Sequence, residues 1–114
     1  QMEIKTLTQD DATIIEISGA IDSNTAPVAQ EKLIPLTVNK CSFIMDLSKC
    51  TYISSAGLRV LLMLAKQCAS LEGSLALSGL GDEIKDVMEM TGFSGFFKIH
   101  NTVLEAVESL KKGV

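Results

Sequence analysis

Residues 43–58 read Phe43-Ile44-Met45-Asp46-Leu47-Ser48-Lys49-Cys50-Thr51-Tyr52-Ile53-Ser54-Ser55-Ala56-Gly57-Leu58. Phe43 to Leu47 is apolar on both alternating faces until Asp46, the pattern of a central strand covered by helices on one or both sides. A polar, small-residue passage follows. Leu58, Leu61, Leu62, Ala65 and Ala69 then recur at helical spacing, with Arg59, Lys66 and Gln67 opposite them. A buried strand leading through a loop into an amphipathic helix is the unit of a parallel α/β sheet, because a parallel neighbour is reached only by a crossover. In open sheets of this kind ligands and partners meet the C-terminal edge of the strands. The passage around Ser54 and Ser55 is therefore where function is expected.

Towards the N-terminus, Met2, Ile4 and Thr6 alternate with Glu3, Lys5 and Leu7, and Thr13, Ile15 and Ile17 alternate with Ile14 and Glu16. Gln9-Asp10-Asp11 suits a tight turn between them, so an opening hairpin is predicted. Gly19 is expected to stop its second strand. Asp22-Ser23-Asn24-Thr25 supplies N-cap candidates before Pro27, which a first helical turn tolerates. That helix should carry Ala26, Ala29, Leu33 and Leu36 on one face and end or bend at Ile34, before Pro35. Towards the C-terminus, Glu72-Gly73 breaks the long helix and Ser74–Ser78 is a short apolar strand. Asp82 is a candidate cap for a helix with Ile84, Val87 and Met88 on one face, closed by Gly92. Phe96-Phe97-Lys98-Ile99 reads as an edge strand, and Thr102 opens a last helix with Val103, Ala106, Val107 and Leu110. The predicted fold is α/β, in the order ββαβαβαβα, with a mixed, largely parallel sheet of about five strands and about four helices. A single domain over residues 2–114 is expected, with Met2 as the natural start and Gln1 left over from expression.

With 114 residues and 46% hydrophobic content, the chain suffices for one core and is too short for two. Its net charge of −4, with both signs interspersed, offers no basic stripe for phosphates or anionic lipid, so direct nucleic-acid binding is not expected. No apolar run approaches the ~20 residues of a membrane span and no secretory leader is evident, which makes a cytoplasmic location without membrane insertion the expectation. Cys41, Cys50 and Cys68 form no CxxC pair and are odd in number, against both a disulfide framework and a zinc site. Cys41 and Cys50 flank a strand whose rise of ~3.3 Å per residue keeps them beyond disulfide reach, so the cysteines read as small buried hydrophobes. The only histidine, His100, assembles neither a metal site nor a catalytic triad. Met45, Met63, Met88 and Met90 read as core filling in preference to an adaptable groove. Gly79-Leu80-Gly81 is too short for a phosphate loop, and no Gly-x-Ser-x-Gly elbow surrounds Ser54 or Ser55. No metal, cofactor or catalytic residue is therefore assigned.

Ser55 stands at or beside a helix N-cap. Its hydroxyl either caps a first-turn N–H or serves as a modification site. A phosphoryl group there would add ~1.5 to 2 negative charges where unpaired N–H groups and the positive helix end favour an anion. The fold should survive while the surface changes. Asp22, in the loop before the first helix, reads equally as a turn or capping acid and as a partner contact.

Asp46-Leu47-Ser48 followed by Tyr52-Ile53-Ser54-Ser55-Ala56-Gly57-Leu58, with Gly19-Ala20-Ile21-Asp22-Ser23-Asn24-Thr25-Ala26 before it, resembles the two signature regions of the STAS-domain anti-sigma-factor antagonists. The resemblance covers nearly the whole chain. It implies a STAS fold and a binding protein that is not an enzyme, phosphorylated on Ser55 by a GHKL-type serine kinase that doubles as anti-sigma factor. The unphosphorylated form would bind that kinase, phosphorylation would release it, and a PP2C-type phosphatase would reset the switch. Asp22, Ser23, Asn24, Thr25, Ser54, Ser55, Ala56, Gly57 and Arg59 become the implied partner surface of a chain expected to be monomeric when free. Many members carry Asp immediately before the modified serine. Here Ser54 stands in its place and is the second choice of acceptor. A STAS interaction subunit of a lipid-transport complex or a secretion regulator, and a small nucleotide-dependent catalyst, are the competing readings.

Overall fold

A computed structural model describes residues 2–112. The hairpin strands β1 (Glu3–Gln9) and β2 (Ala12–Ile21) are followed by α1 (Ala26–Leu33), β3 (Ser42–Asp46), β4 (Cys50–Ile53) and α2 (Ser55–Ser70). The chain continues through β5 (Ser74–Ser78), α3 (Asp82–Met90), β6 (Lys98–His100) and α4 (Val103–Lys112). The sheet order is β1-β2-β3-β5-β6, with β4 paired to β2. Among the described residues only the β1–β2 pair is antiparallel; β2–β3, β2–β4, β3–β5 and β5–β6 run parallel, as crossovers through helices require.

The central strands β2, β3 and β5 are apolar on both faces, as their burial shows. Ile15 and Ile17 of β2, Phe43 and Met45 of β3, and Leu75 and Leu77 of β5 pack with α1, α2 and α3 in the main core. Ala12, Ile14 and Ile44 point the other way, beneath Ala106 and Val107 of α4. Covering both faces explains why β3 reads as continuously apolar. Leu36, expected on the buried face of α1, is 39% exposed. Pro35 diverts the chain into a 3₁₀ turn over Ile34–Leu36 before that face recurs.

Three expectations are corrected. Gly19 does not stop β2: it adopts φ +89°, the pairing register to β4 shifts between Gly19 and Ala20, and the strand continues to Ile21. That extension pairs with β4, so six strands stand among the described residues where about five were expected. Asp82 is the first residue of α3 and Gly81 its cap, while Phe96 belongs to a 3₁₀ turn and β6 begins only at Lys98. Gly92, at φ +78°, does take the left-handed conformation after α3.

The long helix is also rotated from its predicted face. Gly57, Leu58, Val60, Leu61, Leu64 and Cys68 are buried, whereas Leu62 and Ala65 are only partly covered and Ala69 is exposed. The cause lies in its first turn. A Cβ on Gly57 would stand 2.8 Å from the Ile21 carbonyl oxygen, 2.8 Å from Ile53 Cγ1 and 2.9 Å from Ile21 Cγ2. The helix thus presses its bare backbone against the end of β2. This fixes the stripe 57, 61, 64, 68 as the inner one.

Candidate functional site

The β2–β4 pairing sets Ile21 beside Ile53, and the Ser54 N–H donates to the Ile21 carbonyl at 2.9 Å. The loop leaving β2 and the start of α2 therefore lie side by side, although 30 residues separate them in sequence. Ser54 is the N-cap of α2, in extended conformation, and its hydroxyl accepts from Gly57 N–H at 3.2 Å. Its carbonyl accepts the Leu58 N–H at 2.9 Å. The capping role belongs to Ser54.

Ser55, the first helical residue, is exposed, and its hydroxyl takes part in no hydrogen bond among the described residues. The N–H groups of Ser55 and Ala56 have no acceptor among those residues either. Their partial positive charge is open at the helix end.

Across from this turn, Asp22 Oδ1 accepts the N–H of Asn24 at 2.9 Å and of Thr25 at 3.0 Å. Thr25 Oγ1 donates to the Ala20 carbonyl at 2.8 Å and accepts the Asp22 N–H at 2.8 Å. The loop is thereby shaped by its own side chains before α1 begins. These hydrogen bonds, first that of the Thr25 N–H and then that of Asn24, hold the Asp22 carboxyl below the usual carboxylate value. Asp22 thus has the turn-forming role that its sequence allowed. Ser23 and Asn24, outside it, are exposed.

Between α1 and α2 an open groove of about 380 Å³ runs down from this corner, with Ala26, Pro27 and Gln30 on one wall and Ala56, Arg59 and Met63 on the other. Ser23 also borders it. The structure brings Asp22, Ser23, Asn24, Thr25, Ser54, Ser55, Ala56 and Arg59 to one corner. Gly57 is buried under the helix start and shapes the corner without offering surface. Sequence reasoning missed Pro27, Gln30 and Met63. Met63 packs against the main core, as its core-filling reading expects, and lines the groove as well; Met45 and Met88 are fully buried, whereas Met90, at 86% exposure on the last turn of α3, fills no core. The spacing of Met63, four and seven residues from Arg59 and Ala56, was the available sign that it shares their face.

The STAS domain family model matches residues 3–106. BtrV of Bordetella bronchiseptica is 32% identical over 90% of this chain and 89% of its own length. An anti-sigma-B factor antagonist of Listeria monocytogenes is 33% identical over 88% of each chain. The Bacillus cell-fate determinant SpoIIAA, solved in its phosphorylated form, superposes with a TM-score of 0.69 at 14% identity, covering 96% of this chain and 99% of its own. At that identity it speaks for the fold alone. The signature segments, the parallel sheet with its opening hairpin and the near full-length relatives agree: the chain belongs to the STAS-domain family, with the anti-sigma factor antagonists.

Proposed function

We propose that this chain is a phosphorylation-controlled binding protein of a partner-switching pathway, and that Ser55 is its switch. The observation that carries the reading is the unengaged, exposed hydroxyl of Ser55 at the open positive end of α2, beside the α1–α2 groove. In the unphosphorylated state the corner formed by Ser23, Asn24, Ser55 and Arg59 docks an anti-sigma factor that is also a GHKL-type serine kinase. The Ser55 hydroxyl oxygen attacks the terminal phosphorus of kinase-bound ATP, the bond to ADP breaks, and the kinase takes up the hydroxyl proton. The new dianion sits where the open N–H groups favour it, so the fold persists while the docking surface acquires negative charge. A PP2C-type phosphatase hydrolyses the ester and restores the surface. All of these partners place the switch in the cytoplasm, and the chain itself contributes no catalysis.

Ser55 is preferred to Ser54 because Ser54 is partly buried and its oxygen already holds Gly57 N–H. The test is intact-mass measurement after incubation with the kinase and ATP. The wild type and Ser54→Ala should each gain one phosphoryl group and Ser55→Ala none. Full modification of Ser55→Ala would overturn the assignment. Capture of a transporter ATPase in place of such a kinase would favour the interaction-subunit alternative.

A further inference from the structure

We propose that Cys41 and Cys68 form an oxidation site, converted by a low-molecular-weight disulfide such as glutathione disulfide into a cystine that staples the start of β3 to the last turns of α2. The two sulfurs lie 3.5 Å apart, with the Cys41 thiol donating to Cys68 Sγ. Both are free and buried, at 7% and 0% exposure. A bond of ~2.05 Å requires the sulfurs to close by about 1.5 Å. Cys50 is outside this pair, its thiol donating to the Tyr52 carbonyl at 3.4 Å.

The backbone around the pair keeps it together. Lys40 N–H donates to the Leu71 carbonyl at 2.7 Å, Gly73 N–H to the Cys68 carbonyl at 2.7 Å, and Ser74 N–H to the Cys41 carbonyl at 2.8 Å. Gly73 is wedged between the two segments: a Cβ there would fall 2.2 Å from the Cys41 carbonyl oxygen and 2.8 Å from its nitrogen. Only glycine lets the end of α2 return this close to Cys41.

Exchange proceeds in two steps. The Cys41 thiolate displaces one glutathione thiolate from the disulfide, and the Cys68 thiolate then attacks the Cys41 sulfur and expels the second. Two protein thiols are oxidised, one glutathione disulfide is reduced to two thiols, and the two cysteine protons pass to the departing thiolates. Cys41 reacts first because it adjoins the exposed segment Val38-Asn39-Lys40. Cys68 resolves slowly, since burial and then the neighbouring Cys41 thiol push its own thiol up to about 12. The closed ring spans β3, β4 and the Ser54-Ser55 turn. Cys68 lies thirteen residues, about 20 Å, along α2 from Ser55, so the staple acts on stability and leaves the docking corner unchanged.

The full chain is refolded from denaturant in glutathione buffers from reducing to oxidising, quenched in acid and alkylated, and its peptides are mapped. The expected result is loss of two thiols, a Cys41–Cys68 cystine, an alkylated Cys50, and a melting temperature higher by roughly 10 °C. Native protein that keeps three thiols in buffers where the denatured chain is already oxidised, or that pairs Cys50 as often as Cys68 with Cys41, would overturn the proposal. Gly73→Ala keeps every thiol but pushes Cys41 away, and should lower the cystine share at fixed buffer several-fold. An unchanged share would equally refute the framed pair.

Discussion

Replacing Gly57 by alanine sets two effects against each other, and the structure decides the sign. Helix propensity alone favours alanine by about 0.8–1.0 kcal/mol at an interior position, and less in a first turn. Against it stand three contacts at 2.8, 2.8 and 2.9 Å, where ordinary van der Waals spacing begins at 3.4 Å. The two isoleucine atoms have some freedom to rotate away. The Ile21 carbonyl does not, because it accepts the Ser54 N–H at 2.9 Å. Overpacking of this kind costs about 1–3 kcal/mol, so the net change is a loss of about 1–2 kcal/mol. At about 4–8 °C per kcal/mol for a domain near this size, the melting temperature should fall by roughly 5–15 °C, and the urea midpoint should drop with its slope unchanged. Circular dichroism melts and urea titrations give both readings. The same shift would lift the start of α2 off β2, so Ser55 phosphorylation should slow as well. A melting temperature equal to or above the wild type would refute the close approach on which the geometry of the corner rests.

Ser54→Ala removes the N-cap and should cost about 1 kcal/mol in denaturant unfolding while phosphorylation continues; loss of phosphorylation with an intact fold would instead implicate Ser54 as acceptor. Ser55→Asp should weaken kinase binding in calorimetry by about tenfold or more, through negative charge at the docking corner, and unchanged affinity would count against an electrostatic switch. For Asp22, whose folded value is depressed, the stabilising contribution is complete above its unfolded pKa of about 3.9 and disappears as pH falls through the folded value. The urea midpoints of wild type and Asp22→Asn should therefore differ near neutrality and converge on acidification below about pH 4. A gap that stays constant with pH would remove the carboxylate from the account.

Local patterns were legible in the chain. The alternation in β2, the doubly apolar β3 and the amphipathic α2 follow from side-chain periodicity, and Gly92 from the need for a left-handed residue after a helix. What escaped depends on contacts between distant segments. Gly19 carries the same local signal whether it ends a strand or bulges within one, and the choice is made by β4, whose Cys50, Tyr52 and Ile53 pair with Gly19, Ala20 and Ile21. The four residues of β4 are too few, and two of them too exposed, to show a period of their own. The rotation of α2 by one residue is set by Gly57 against Ile21, and the 3.5 Å approach of Cys41 to Cys68 by Gly73, neither of which has a local signature. At the corner, the serine segment and Asp22 stood out through chemistry and resemblance. The division between them, with Ser54 as cap and Ser55 left unengaged, arises only in the folded chain, where the Ser54 N–H is tied to the Ile21 carbonyl and its hydroxyl to the Gly57 N–H.

Fragment-ion mass spectrometry of the protein recovered from its own cells, with and without phosphatase treatment, most directly tests the claim that Ser55 is the switch. A single phosphate localised to Ser55, removed by the phosphatase and never found on Ser54, is the predicted result. Phosphate on Ser54, or a chain that stays unmodified while its kinase partner cycles between bound and free states, would contradict it.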